Sequence, residues 1–267
     1  MKSKAIGALA LLLTASTPAM ALEGADVYSQ VRSSLVQLVG IGAEGRFYLG
    51  SGVALPNGSI VTNCHVTQHA KRVEPFWGSS PARAESQRAD VQHDLCLIQM
   101  PGLQVRPTEV ASSKGLHVGD KVYAVGFNGG RRLTYEEGEV SELFPLDGGM
   151  VIRTTAAFSQ GASGGGLFDA EGRLVGILTF FRVSGETAYF AVPVEWIKNV
   201  EGATSAAVQP WKARRSGPRA WNSSRSSCKP ARSKPMDAGR SSRSSRAAGP
   251  SRIRSTRMHG PHSRAPR

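Results

Sequence analysis

Between Val36 and Val192 the chain is cut into short apolar runs, each a handful of residues long and each closed by Gly, Pro, Asn or Asp. Runs of that length cannot carry the buried stripe of a helix, but each can cross one face of a sheet. Their regular spacing points to an all-β sandwich or barrel. This reading places strands over 34–39, 46–55, 59–62, 72–76, 95–100, 121–125, 134–144, 150–155, 165–168, 174–181 and 188–192. Long amphipathic helices are missing from the region. One short helix is expected at 193–200, with Pro193 in its first turn and Val194, Ile197 and Val200 on one face.

The 267 residues allow one or two domains, and a hydrophobic content of 40% is enough for a core. The net charge of +13 is unevenly placed. From Lys212 onward there are 16 Lys/Arg and one acidic residue, Asp237, a local +15, which leaves 17 basic and 19 acidic groups, or −2, in the first 211 residues. The overall pI therefore describes the tail and not the body. In residues 206–267 Arg, Ser, Pro, Gly and Ala dominate and apolar residues nearly vanish, so this segment is expected to be disordered. Three readings stand for it: an arm with weak affinity for polyanions, a solvated tail without a role, or the product of an anomalous reading frame in a GC-rich gene. Its few aromatics, Trp211 and Trp221, count against base stacking. At the other end, Lys2 and Lys4, the apolar run 5–13 and the small residues closing on Ala19-Met20-Ala21 read as a secretory signal over 1–21. The mature protein is thus expected in a bacterial periplasm or outside the cell. No stretch approaches the roughly 18 apolar residues that a membrane-spanning helix needs, so stable membrane insertion is not expected. The globular domain is expected over 22–205.

One loop of that domain carries chemistry. In Phe158-Ser159-Gln160-Gly161-Ala162-Ser163-Gly164-Gly165-Gly166-Leu167, Ser163 stands among four glycines. Glycine permits positive φ and close backbone approach, so a hydroxyl bracketed by it suggests N–H groups aimed at a reacting atom. Residues 161–165 satisfy G-x-S-x-G, the nucleophile elbow of α/β-hydrolases, but that elbow requires a histidine later in the chain. The only later histidines, His259 and His262, lie in the tail, and no βαβ alternation precedes the serine. The opposite order, His then Asp then Ser, has candidates upstream. His65 ends the run Ser59-Ile60-Val61-Thr62-Asn63-Cys64-His65-Val66, and Asp94 heads the apolar strand of His93-Asp94-Leu95-Cys96-Leu97-Ile98. A carboxylate at the mouth of a buried strand needs a partner. His93, next to Asp94, is expected to be a surface neighbour and not a participant, and His69 and His117 have no motif.

These three segments, separated by 29 and 69 residues, resemble the trypsin-like serine peptidases of the chymotrypsin fold, in particular the bacterial HtrA/Deg type. The His block is similar to T-N-x-H-V, the Asp block to D-L-A-L and the Ser block to G-N-S-G-G-x-L. The likeness runs from about Val36 to Val200 and takes in residues 119–126 and 175–177. It implies two six-stranded antiparallel β-barrels with the site in the cleft between them, and a serine endopeptidase working on protein or peptide substrates. In that scheme His65 is the base, Asp94 orients it, Ser163 is the nucleophile, and the N–H groups of Gly161 and Ser163 form the oxyanion hole. The specificity pocket is expected near Ala157, Thr179, Phe180 and Phe181, and without a carboxylate at its floor it suits an apolar side chain of modest size. Ala162 departs from the family, where Asp or Asn precedes the serine, so activation by pairing with a new N-terminus is closed and the loop is expected to be looser. No PDZ-like pattern follows Val200, and a monomer is expected.

Cys64 and Cys96 flank the His and Asp positions, so either a disulfide staples the two segments or two free thiols are buried there. With Cys228 the count is odd. No metal or nucleotide motif is present, and no cofactor is expected. Two other functions fit the same residues: a non-catalytic or regulatory protein of this fold whose basic tail binds polyanions, and an esterase using the same triad.

Overall fold

The computed structural model describes residues 23–76, 82–184 and 186–210, with the side chains of residues 180–186 left out of the description. The expected signal and all of the tail beyond residue 210 lie outside the described residues. Helix α1 (Gly24–Val31) leads into β1 (Leu35–Ile41), β2 (Phe47–Ala54) and β3 (Ser59–Asn63), and a single helical turn, α2 (Cys64–Thr67), follows. Then come β4 (Arg72–Pro75), β5 (Ser86–Asp90) and β6 (Leu95–Gln99). The second half holds β7 (Lys121–Asn128), β8 (Arg132–Leu146), β9 (Gly149–Thr154), β10 (Gly166–Phe168), β11 (Leu174–Ser184) and β12 (Glu186–Pro193). A 3-10 turn, Val194–Trp196, runs into α3 (Ile197–Glu201), and β13 (Ala206–Ala207) ends the described chain.

The strands form an all-β, chymotrypsin-type fold in two layers. The later one is a closed six-stranded barrel, ordered β10-β11-β12-β9-β8-β7. The earlier one differs from the expected second barrel: it is an open seven-stranded sheet, β13-β5-β6-β3-β2-β1-β4. Its β4 is four residues long and ends at Pro75, which has no N–H to carry a ladder onward. The other edge is capped by the two-residue β13, which pairs Ala206 with Gln87. Ordered pairing therefore runs past residue 205, where the sequence had placed the end of the domain.

The layers share one core. Val53, Val61, Leu95 and Leu97 of the open sheet pack in the same buried cluster as Tyr123, Phe127, Phe168 and Phe190 of the barrel. The C-terminal turn plugs the seam, because Pro193 sets an extended entry and Val194, Trp196, Ile197 and Val200 are buried together. The expected helix over 193–200 is thus a 3-10 turn followed by a short α-helix. Helix α1, absent from the sequence reading, buries Val27 and Val31 in this cluster and stacks Tyr28 on Tyr135 of β8 at 5.2 Å.

Candidate active site

His65 and Asp94 are brought together by the pairing of β3 with β6, in which Asn63 lies opposite Leu95. The chain turns after Asn63 into α2, so His65 stands just beyond the strand end. Asp94 stands just before its partner strand in the left-handed region, at φ 57°. That unusual backbone is held from several sides. Its carbonyl accepts from Cys64 N at 3.1 Å and from Asn63 Nδ2 at 3.0 Å. Its carboxylate accepts from His65 N through Oδ1 at 2.9 Å and meets His65 Nδ1 through Oδ2 at 2.6 Å. The two contacts fix both the ring plane and its tautomer, leaving Nε2 as the free nitrogen. Burial disfavours the charged ring, but the hydrogen bond and the charge of Asp94 outweigh it and hold the His65 pKa above the ordinary 6.5.

Behind this pair, Cys64 and Cys96 are joined by a disulfide with a Cα–Cα distance of 4.9 Å. Both residues are buried. The bond ties the residue before His65 to the residue two after Asp94.

The Ser163 loop comes from the barrel, between β9 and β10. Gly161 has φ 93° and Gly164 φ 85°, values that an L side chain rarely adopts. A Cβ on Gly161 would strike the backbone of Gly130 and Phe127, and one on Gly164 would strike Ser51 O and Thr62 Oγ1. The second collision locates the loop: it lies directly against β2 and β3, beside Asn63. The carbonyl of Gln160 accepts from Gly129 N at 2.7 Å, which turns the following N–H, that of Gly161, the other way. Among the described residues neither Gly161 N nor Ser163 N donates to a protein acceptor. Ala162 is wholly buried in a cluster with Val122, Ala124, Leu167 and Leu178. The Ser163 hydroxyl donates to Thr179 O at 3.3 Å and not to His65.

Three polar residues outside the expected set hold the parts together. Ser51, buried on β2, donates through Oγ to Gly161 O at 2.7 Å and accepts there from Phe127 N at 2.9 Å. Its own N–H donates to Ser163 O at 2.8 Å. Thr62 Oγ1 donates to Ser51 O at 2.6 Å. Asn63 Nδ2 bridges Asp94 O and, at 3.1 Å, Thr179 Oγ1. Thr62 and Asn63 belong to the stretch that resembles T-N-x-H-V, whereas Ser51 lies within the expected strand 46–55 and carries no signal of its own.

The expected pocket residues are less uniform. Ala157 is half-buried, next to Phe158, whose ring meets Tyr189 at 5.3 Å. Thr179 is buried, and its hydroxyl is engaged with Asn63 and with Ile177 O at 3.0 Å, so it serves the site's framework. Phe180 and Phe181 pair with Phe190 and Tyr189 along β11 and β12, and their side chains lie outside the described residues. No group of three or more His, Cys, Asp or Glu side chains suited to a metal occurs among the described residues. No helix among them is long and apolar enough to cross a membrane.

A barrel and a half-barrel sheet, meeting at a His-Asp pair and a glycine-bracketed serine, define a chymotrypsin-fold domain. Within that class, residues 50–177 match the trypsin-like peptidase domain model, a span that takes in His65, Asp94 and Ser163. It is 31% identical over 170 residues to a probable periplasmic serine endoprotease, DegP-like, of Buchnera aphidicola, covering 59% of this chain and 37% of that one. With the periplasmic pH-dependent serine endoprotease DegQ of Escherichia coli it shares 32% over 157 residues, 54% of this chain and 34% of that one. The chain therefore spans well under half the length of these relatives. The solved HtrA-type protease AlgW with a tripeptide superposes with a TM-score of 0.60 at 26% identity, covering 67% of this chain and 62% of that one. The Rv3671c protease of M. tuberculosis in its active form matches in fold, with a TM-score of 0.62 at 22% identity over 77% of this chain and 98% of that one.

Proposed function

We propose that this domain is an exported serine endopeptidase in which His65, Asp94 and Ser163 form the triad. The observation that carries the reading is the double contact of Asp94 with His65, at Oδ2 to Nδ1 and Oδ1 to the backbone N. Whenever the ring is neutral, it fixes the tautomer that leaves Nε2 unprotonated, the one a general base requires. Rotation about χ1 turns the Ser163 hydroxyl from Thr179 O toward Nε2. The hydroxyl proton passes to Nε2 as Oγ bonds to the scissile carbonyl carbon. The imidazolium, stabilised by Asp94, then gives that proton to the departing amine, and an acyl-Ser163 ester remains. Water, deprotonated by the same nitrogen, attacks the ester and restores the serine. The N–H groups of Gly161 and Ser163 receive the oxyanion in both tetrahedral steps. One such donor is worth about 10²–10³-fold in rate.

An apolar P1 residue of modest size fits the surroundings of Ala157, and the periplasmic names of the relatives support export. The test is labelling with a fluorophosphonate probe, followed by casein hydrolysis. Wild type should label at Ser163 and the Ser163→Ala variant should neither label nor hydrolyse casein. Hydrolysis by that variant at the wild-type rate would refute the assignment. A substrate-library profile dominated by Arg or Lys would remove the apolar preference.

A further inference from the structure

His93 has no part in the triad, yet it is the most heavily engaged histidine of the described residues. Its side chain is 11% exposed. Nδ1 lies 2.5 Å from Asp90 Oδ2, at the end of β5, and the His93 N–H donates to the other oxygen of that carboxylate at 3.3 Å. Nε2 lies 2.9 Å from Asp147 Oδ2, in the turn between β8 and β9 of the barrel. The ring also packs against Trp196, with centroids 4.1 Å apart and the planes tilted by 36°, and the Trp196 indole N–H donates to Asp147 O at 3.1 Å.

An ionised carboxylate only accepts hydrogen bonds. A ring flanked by two of them satisfies both only if both nitrogens carry protons, which makes it an imidazolium. Asp90 and Asp147 are the charged groups that act on it, and the third element against it presents a neutral indole. Burial opposes the charge, while the hydrogen bonds and charges of Asp147 and Asp90 favour it and raise the His93 pKa above the ordinary value. The cation thus joins the open sheet to the barrel. The residue after it is Asp94, whose left-handed backbone presents its carboxylate to His65. The turn from Asp90 to His93, closed by the Asp90 carboxylate, sets the direction in which Asp94 leaves.

We propose that His93 is a positioning residue: as a cation latched to Asp90 and Asp147 it fixes the turn that aims Asp94 at His65, and loss of its proton releases that turn. The proposal rests on the triad reading for its effect on rate but not for the latch itself. A latch of this kind acts on turnover and not on substrate affinity. Its charge stabilises below the ordinary histidine pKa and is lost as pH rises through the raised one. The rate should therefore have an alkaline limb that belongs to His93, added to the acid limb of His65.

Two measurements on the purified protein test it. The first is proton and nitrogen-15 NMR of the histidine rings across pH 5 to 10. At pH 7 His93 should be doubly protonated, and the low-field Nδ1 proton of His65 should broaden as His93 titrates. In Asp147→Asn, a change in the barrel turn away from the reacting atoms, both events should move together to lower pH. The second is kinetic: the alkaline limb of kcat should move the same way in Asp147→Asn, with KM unchanged. His93→Gln should lose the limb and lower kcat by about 10–100-fold, the scale of a small misplacement in a site. A His93 ring that is neutral at pH 7, or a His65 proton indifferent to Asp147→Asn, overturns the latch. A latch that behaves as described in NMR without any hydrolysis by wild type leaves the latch standing and sinks the peptidase reading. If His93→Gln fails to fold, Asp147→Asn decides alone.

Discussion

Removing the Cys64–Cys96 disulfide perturbs the His-Asp pair without touching either member. The bond closes a segment with a sequence separation of 32. The chain-entropy relation for a loop of that length gives about 3.7 kcal/mol of stabilisation through the unfolded state at 25 °C. For a domain of this size about 2–4 °C of Tm accompany each kcal/mol, so the expected loss is about 7–15 °C. The bond also has a local role: with Cys64 N on Asp94 O, it fixes the separation of the two segments from which the His65–Asp94 pair projects. Activity is therefore expected to fall well below the melting transition, through kcat. The assay is thermal unfolding and peptide hydrolysis of wild type with and without reductant, beside Cys64→Ala/Cys96→Ala, all in a Cys228→Ser background to prevent exchange. Reduced wild type isolates the crosslink, because its side chains keep their volume. Denatured, unreduced wild type that retains Cys228 should titrate one free thiol. Three free thiols, or a Tm change under 2 °C on complete reduction, would refute the argument.

Gly164→Ala places a Cβ on Ser51 O and Thr62 Oγ1 at a φ of 85°, and overpacking of about 1–3 kcal/mol with left-handed strain of about 1–2 kcal/mol predicts a loss of about 2–5 kcal/mol in urea unfolding. The acid limb of kcat/KM should have its inflection above 6.5, because only neutral His65 is a base and Asp94 favours the charged ring. Asp94→Asn should move that limb to lower pH and reduce kcat by about 10⁴-fold, the penalty of the wrong tautomer. An unchanged inflection there means that Asp94 is not the group that raises it. Asn63→Ala removes the bridge between Asp94 O and Thr179 Oγ1, and a kcat loss of about 10–100-fold at unchanged KM is expected, whereas a purely structural residue would lower Tm alone.

What sequence reveals of this molecule follows from how strongly each position is dictated. Strand β6, Leu95–Gln99, is dense in apolar residues because both its faces are covered, and it stands out as a run. Strand β5, Ser-Gln-Arg-Ala-Asp, has no such signal, since it is made by its register with β6 and not by its own composition. Helix α1 is similar, with only Val27 and Val31 to mark its buried face besides Gly24. The residues proposed to react, His65, Asp94 and Ser163, stand out in the sequence because acyl transfer tolerates few side chains in few orders. Their supports do not: any small polar residue can donate one hydrogen bond, and nothing within the β2 run distinguishes Ser51 from a serine facing solvent. Only the folded chain shows that it takes three contacts from the barrel.

Ala162 changes meaning most when sequence and structure are set together. The expectation of a looser loop assumed that a polar side chain before the serine is needed to anchor it. The side chain at this position points into the barrel core, where Gly126 leaves room for its methyl group with only about a Cβ contact to spare. Aspartate or asparagine in that cluster would bury a polar group beside Val122, Leu167 and Leu178, at a cost of about 1–3 kcal/mol where it finds no hydrogen bond. Packing, the Ser51 hydroxyl on Gly161 O and the backbone N–H groups of Ser51 and Gly129 hold the loop without a polar side chain at position 162. The Gly161 and Ser163 N–H groups are left unengaged in a loop held this way.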